Sequence, residues 1–146
     1  MNAQEVNPLE APEMGVKRVA TRSYVSRNDR GATLKIGKGE GEWSPGELLE
    51  IALLGCNAMV ADARLASVLG EDFQLTGTIT GNYSQEEDRF KSFSVDLRPE
   101  INVELTPEER AKMISRVRQA VHRLCTVGHT LSQATTFDLA IDGESE

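Results

Sequence analysis

The chain has 146 residues, a formal net charge of −7 at pH 7 and 39% hydrophobic content, which suits one domain with room for a core. The acidic balance argues against a nucleic-acid partner, which would require a basic footprint. No apolar run reads as long enough to span a bilayer. The start, MNAQEVNPLEAPEMG, has no apolar signal segment, so the expectation is a cytoplasmic protein with no membrane partner, in a compartment where structural disulfides are rare.

Residues 1–15 lack periodicity and carry Pro8 and Pro12. They are expected as a flexible or loosely docked tail before a single domain over 16–142, with a short tail over 143–146. Val16 to about Val25 alternates in side-chain character and predicts a strand, with Arg18 and Arg22 sharing a face with Ala20 and Tyr24. Arg27-Asn28-Asp29-Arg30-Gly31 is a turn by its chemistry, and Ala32–Ile36 is the return strand. Gly37, Gly39 and Gly41 mark a mobile loop.

Ser44-Pro45-Gly46-Glu47 opens a helix with a capping box and proline at the first helical position. The helix runs to about Leu69 and stops at Gly70. Its first half (Leu48, Leu49, Ile51, Ala52, Leu53, Leu54) has almost no polar face, so it needs cover on most sides, from its own sheet and from a second subunit. Phe73–Tyr83 and Phe90–Leu97 alternate as strands on either side of the acidic turn at Gln85–Asp88. Ile101–Leu105 reads as a further strand after a break or bulge at Pro99. Thr106-Pro107-Glu108-Glu109 is a second capping box, and it opens a helix with the apolar stripe Met113, Ile114, Val117, Val121 and Leu124. Cys125 follows, and Ala134–Ile141 is the last strand. The order β-β-α-β-β-α-β is an α+β plan.

The chemistry rests on two cysteines, Cys56 and Cys125. The thiolate is the reactive form, and a free thiol titrates near ~8.5. Cys56 lies three turns into its helix, beyond the reach of that helix's own N-terminus. Apolar surroundings push its pKa up. A reactive Cys56 therefore calls for a cation from elsewhere, and arginine suits best. Taken alone, each cysteine reads as a small buried hydrophobe and each strand arginine as a solvated residue. His122 shares a helix face with Cys125 and reads first as a surface histidine; His129 has no assigned role. The spacing lacks a Cys-x-x-Cys or His-x-x-x-His clip, which argues against a metal. Arg110, Lys112, Arg116, Arg118 and Arg123 read as the solvated face of the second helix.

The stretch SPGELLEIALLGCNAMVADARLASVLG, followed downstream by LTPEERAKMISRVRQAVHRLCTVGHTLSQATTFDLAI, resembles the OsmC/Ohr family of thiol peroxidases over about residues 16 to 142. The resemblance implies an intertwined homodimer, with two long helices in the middle and antiparallel sheets outside. It implies that Cys56 attacks an organic hydroperoxide and that Cys125 resolves the sulfenic acid as a disulfide. A strand arginine would hold the thiolate. Counting back from Gly31 places it at Arg22, with Arg18 and Arg27 as alternatives if the turn length differs. A dithiol, such as that of a lipoyl protein, would regenerate the enzyme, with no cofactor. The glutamate that orients this arginine sits ten residues before the cysteine in the family's peroxidases. Here that position is Gly46, which marks a divergent member. A second reading stands beside this one: a non-enzymatic protein of the same fold that binds an apolar ligand at a dimer interface, or senses redox state through a disulfide.

Overall fold

A computed structural model of the chain describes residues 6–145. The described residues divide into two compact units after Leu49. The class is α+β, with antiparallel sheets and long helices.

The first unit is built on three antiparallel strands in the order β1 (Gly15–Ala20), β2 (Ser23–Arg27) and β3 (Thr33–Ile36). The single strand expected over Val16–Val25 is in fact two, joined by a tight turn at Thr21 and Arg22 and irregular between Arg18 and Ala20. Arg22 takes φ 56°, a left-handed conformation more usual for glycine or asparagine, which is why the sequence did not announce the turn. Residues 1–5 of the expected tail lie outside the described residues. Pro8–Glu10 form a 3-10 turn, and Ala11 is buried. The Arg27 guanidinium ties this segment down: its Nε donates to the Ala11 carbonyl at 2.6 Å. The glycine-rich loop closes on itself. The Gly37 and Trp43 backbones pair, and the Glu42 carboxylate accepts from Ser23 Oγ and the Gly39 N–H.

Helix α1 spans Pro45–Leu69. The expected capping box is present, with Ser44 Oγ accepting from the Glu47 N–H and Glu47 Oε2 accepting from the Ser44 N–H. The helix stops at Gly70, where φ is 96°. By length and composition alone α1 is long and apolar enough to cross a membrane, which corrects the expectation that no run is long enough, though the core helix of a soluble protein can pass the same test; 11% of its most apolar stretch is buried within this chain.

In the second unit β4 (Leu75–Ser84) and β5 (Arg89–Pro99) form a long antiparallel hairpin. Its irregularity falls between Asn82 and Tyr83, not at Pro99, where β5 ends. Helix α2 (Pro107–Leu124) has the full Thr106/Glu109 capping box. Its inward face meets α1 in a core of Ala61, Leu65 and Met113, flanked by Leu75, Leu97 and Val117. Among the described residues, Ile101–Leu105 and most of Ala134–Ile141, both expected as strands, have no strand partner, and only Ala140–Ile141 (β6) pairs, with Glu144–Ser145 (β7). A short helix, α3 (Thr126–Leu131), follows Cys125, where the sequence reading placed no element.

Two glycines on β4 let α1 approach the hairpin. A Cβ on Gly77 would meet Leu54 Cδ1 at 3.0 Å, and one on Gly81 would stand 2.5 Å from both Glu50 Oε1 and Phe90 Cε1. The carboxylate can swing aside, whereas the ring is held by edge-on contact with Tyr83. Gly81→Ala should therefore lower stability by about 1–3 kcal/mol through overpacking, read from urea unfolding. An unchanged midpoint would mean that the ring moves freely.

Candidate active site

Cys125 is the single residue between two helices. Its N–H closes α2 on the Val121 carbonyl at 3.0 Å, and its carbonyl starts α3 by accepting from the His129 N–H at 2.9 Å. Its sulfur takes the place that a serine or aspartate oxygen usually fills at a helix start: Cys125 Sγ accepts from the Gly128 N–H at 3.3 Å. Helix α3 is thus folded around a thiol. Its first turn is amide-rich because the initial N–H groups of any helix lack partners within it.

That turn also faces Cys56. The two cysteines, 69 positions apart, are free thiols in hydrogen-bonding contact. The Cys56 thiol is held below its usual range, chiefly by the Cys125 S–H donating to its sulfur. Burial opposes this, while the backbone N–H groups of Val127 and Thr126 add to it. Cys125 is pushed the other way. Burial raises it most and the bond it gives to Cys56 raises it further, with partial relief from the Gly128 N–H. One sulfur is set up to carry the charge and the other to keep the proton, as for any close titrating pair with unequal surroundings.

Asn57 completes the arrangement. Its Nδ2 donates to the Leu53 carbonyl at 3.0 Å and to Cys125 Sγ at 3.4 Å. It also forms part of the wall of a cavity of about 390 Å³ between α1, β5 and α2, whose apolar lining includes Val95, Leu97, Ile114, Val117 and Val121. The donors that lower the Cys56 pKa are thus a thiol and two backbone amides. The sequence argument had no way to see a second helix start arriving at the thiol. Asn57 and the amides at 126–128 are the residues that sequence reasoning missed. Asn57 carries a signal in hindsight, being a polar side chain on the most apolar stretch of α1.

Arg22 is exposed at the β1–β2 turn of the first unit. Arg18 Nη2 reaches Thr21 Oγ1 at 3.4 Å, and Arg27 is engaged with Ala11 and Glu13. Glu47 is occupied by its cap, and Glu50 lies against Gly81. The His129 ring bonds the His122 carbonyl at 2.8 Å, and His122 borders the cavity. Among the described residues, no group of three or more His, Cys, Asp or Glu side chains is placed to hold a metal.

Comparison with known proteins gives this geometry a context. Two uncharacterised proteins, from Mycobacterium tuberculosis and Mycobacterium bovis, are each 34% identical over 131 residues, covering 88% of this chain and 95% of theirs. A hypothetical protein from Aquifex aeolicus shares the fold at a TM-score of 0.66 and 15% identity, covering 87% of this chain and 91% of its own. An OsmC-like protein of unknown function from Vibrio cholerae does so at 0.53 and 14%, covering 75% and 78%. Residues 37–140, from the glycine-rich loop to the start of β6, match the family of OsmC-like proteins, and the chain belongs to that family.

Proposed function

We propose that this chain is a cysteine-based peroxidase that reduces organic hydroperoxides in the cytoplasm, acting as a homodimer. The observation that carries the reading is the contact between two thiols of opposite pKa shift, with Cys56 held toward thiolate by Cys125 and two amides. Membership in a family that includes peroxidases supports it.

The Cys56 thiolate attacks the terminal oxygen of the hydroperoxide, the O–O bond breaks, and the alkoxide takes a proton to leave as the alcohol. Cys56 is now a sulfenic acid. The Cys125 sulfur attacks it, the S–O bond breaks, and hydroxide leaves with the Cys125 proton as water. The product is a disulfide, the reversible rung of cysteine oxidation, which a dithiol returns to two thiols. The apolar cavity that shares Asn57 with the site favours substrates with an organic tail over hydrogen peroxide. The family resemblance adds Arg22 as the guanidinium that holds the thiolate and the departing oxygen.

Reduced protein mixed with one equivalent of cumene hydroperoxide should lose both thiols within seconds, and its intact mass should fall by two hydrogens. Cys56→Ser should keep its thiol, and Cys125→Ser should accumulate a dimedone-reactive sulfenic acid. Thiols that survive for many minutes would sink the proposal. The second reading, a non-enzymatic ligand binder, would then gain from two observations: the cavity itself and the glycine at position 46, where the family's peroxidases carry a carboxylate.

A further inference from the structure

We propose that the groove between α1 and α2 lined by Arg64, Arg116 and Arg123 is an anion site that takes the phosphate groups of a small soluble molecule. The groove has a volume of about 650 Å³ and is also lined by Ala63, Ser67 and Gln119. Arg116 and Arg123 are seven residues apart on α2. At ~100° per residue they share one face to within ~20°, and Arg64 meets them from the other helix.

The charge arrangement is what needs explaining. The chain has 23 acidic and 16 basic residues, so carboxylates are in surplus. Among the described residues, Arg27, Arg30, Arg89 and Arg98 each have a carboxylate within ion-pair distance, whereas Arg64, Arg116 and Arg123, like Arg18, Arg22, Arg110 and Arg118, have none; what sets these three apart is that they line one groove. Three unpaired guanidiniums brought together on two helices repel one another. A surface free to vary disperses such charge or pairs it. Convergence in a concave groove makes sense when a multiply charged oxyanion completes it. The guanidinium fork matches phosphate oxygens two at a time. The sequence showed a basic face on α2 but gave no sign that Arg64 joins it. The inference does not depend on the peroxidase reading, because none of these residues takes part in the hydrogen bonds at either sulfur.

Inorganic pyrophosphate, titrated calorimetrically at fixed ionic strength, is the probe. Saturable binding is expected in the wild type. Arg64→Gln, Arg116→Gln and Arg123→Gln should each weaken it about tenfold, as loss of a charge-assisted bond does. Lys112→Gln, an exposed change on α2 outside the groove, should bind as the wild type does. Absence of saturable binding at millimolar pyrophosphate would overturn the proposal, as would equal weakening by Lys112→Gln, which would reduce the effect to general surface charge. Cosedimentation with anionic lipid vesicles that pyrophosphate fails to displace would overturn the assignment to a soluble phosphate.

Discussion

Cys125→Ala should slow iodoacetamide alkylation of Cys56 at neutral pH by about tenfold or more, while Cys125→Ser should stay close to the wild type. The magnitude follows from removing a hydrogen bond to a charged acceptor, which is worth roughly 1.5–3 kcal/mol. Alanine deletes the donor to the Cys56 sulfur, whereas serine keeps an O–H in its place. The amides of Thr126 and Val127 remain in both variants, so reactivity falls without vanishing. The sign can be followed across pH. Cys56 titrates lower in the folded chain than in the unfolded one, so its thiolate, and the reactivity it confers, appears as pH rises through the folded value. The stability that the thiolate lends is complete above the unfolded thiol value and is lost as pH falls through the folded one. Cys125 runs the other way: its contribution is complete below the unfolded value and is lost as pH rises through its raised folded value. Between the two, the pair holds one proton on the Cys125 side. Alkylation followed against pH in the three proteins reads this directly. Superimposable profiles for wild type and Cys125→Ala would remove the partner thiol from the account and leave activation to the amides alone.

The same site shows which features a single sequence makes legible. The helices were legible because their ends are written in short-range chemistry: Ser44 with Glu47, Thr106 with Glu109, and Gly70 at a stop that requires positive φ. The cysteine pair was legible only through family resemblance, since nothing local links positions 56 and 125. Helix α3 was not legible at all. Thr126-Val127-Gly128-His129 combines residues of poor helix propensity, and the residue that caps it is a cysteine, which no capping rule lists. The donors to Cys56 went unseen with it. The β1–β2 turn was hidden for a related reason, because Thr21 and Arg22 are not turn residues by type. The expected strands over Ile101–Leu105 and Ala134–Ile141 failed differently. Alternation predicts a strand-like segment, but a strand exists only where a neighbouring edge accepts its hydrogen bonds, and the single chain offers those segments almost none.

In the homodimer proposed above, Met59→Asp should drive dissociation to monomers at micromolar concentration, a change of a hundredfold or more in the dissociation constant. Met59 is 80% exposed on α1, and Ala52 and Gly55, on its helical face, are small. A Cβ on Gly55 would meet nothing within 4 Å. A large apolar side chain framed by small ones, on a helix so little buried by its own chain, suits close approach of a second helix. The same requirement appears at Phe137, which is 87% exposed in an unpaired strand-like segment. In a two-fold dimer the change is made twice, once in each copy. An aspartate there must either stay ionised without a partner in an apolar contact or take up a proton, and both are costly. Sedimentation velocity reads the outcome. Because Met59 makes little contact within its own chain, circular dichroism should show the helices of the monomer intact. Gly55→Leu tests the same face without a charge, by holding the helices apart. If both variants sediment like the wild type, the α1 face is not where two copies meet.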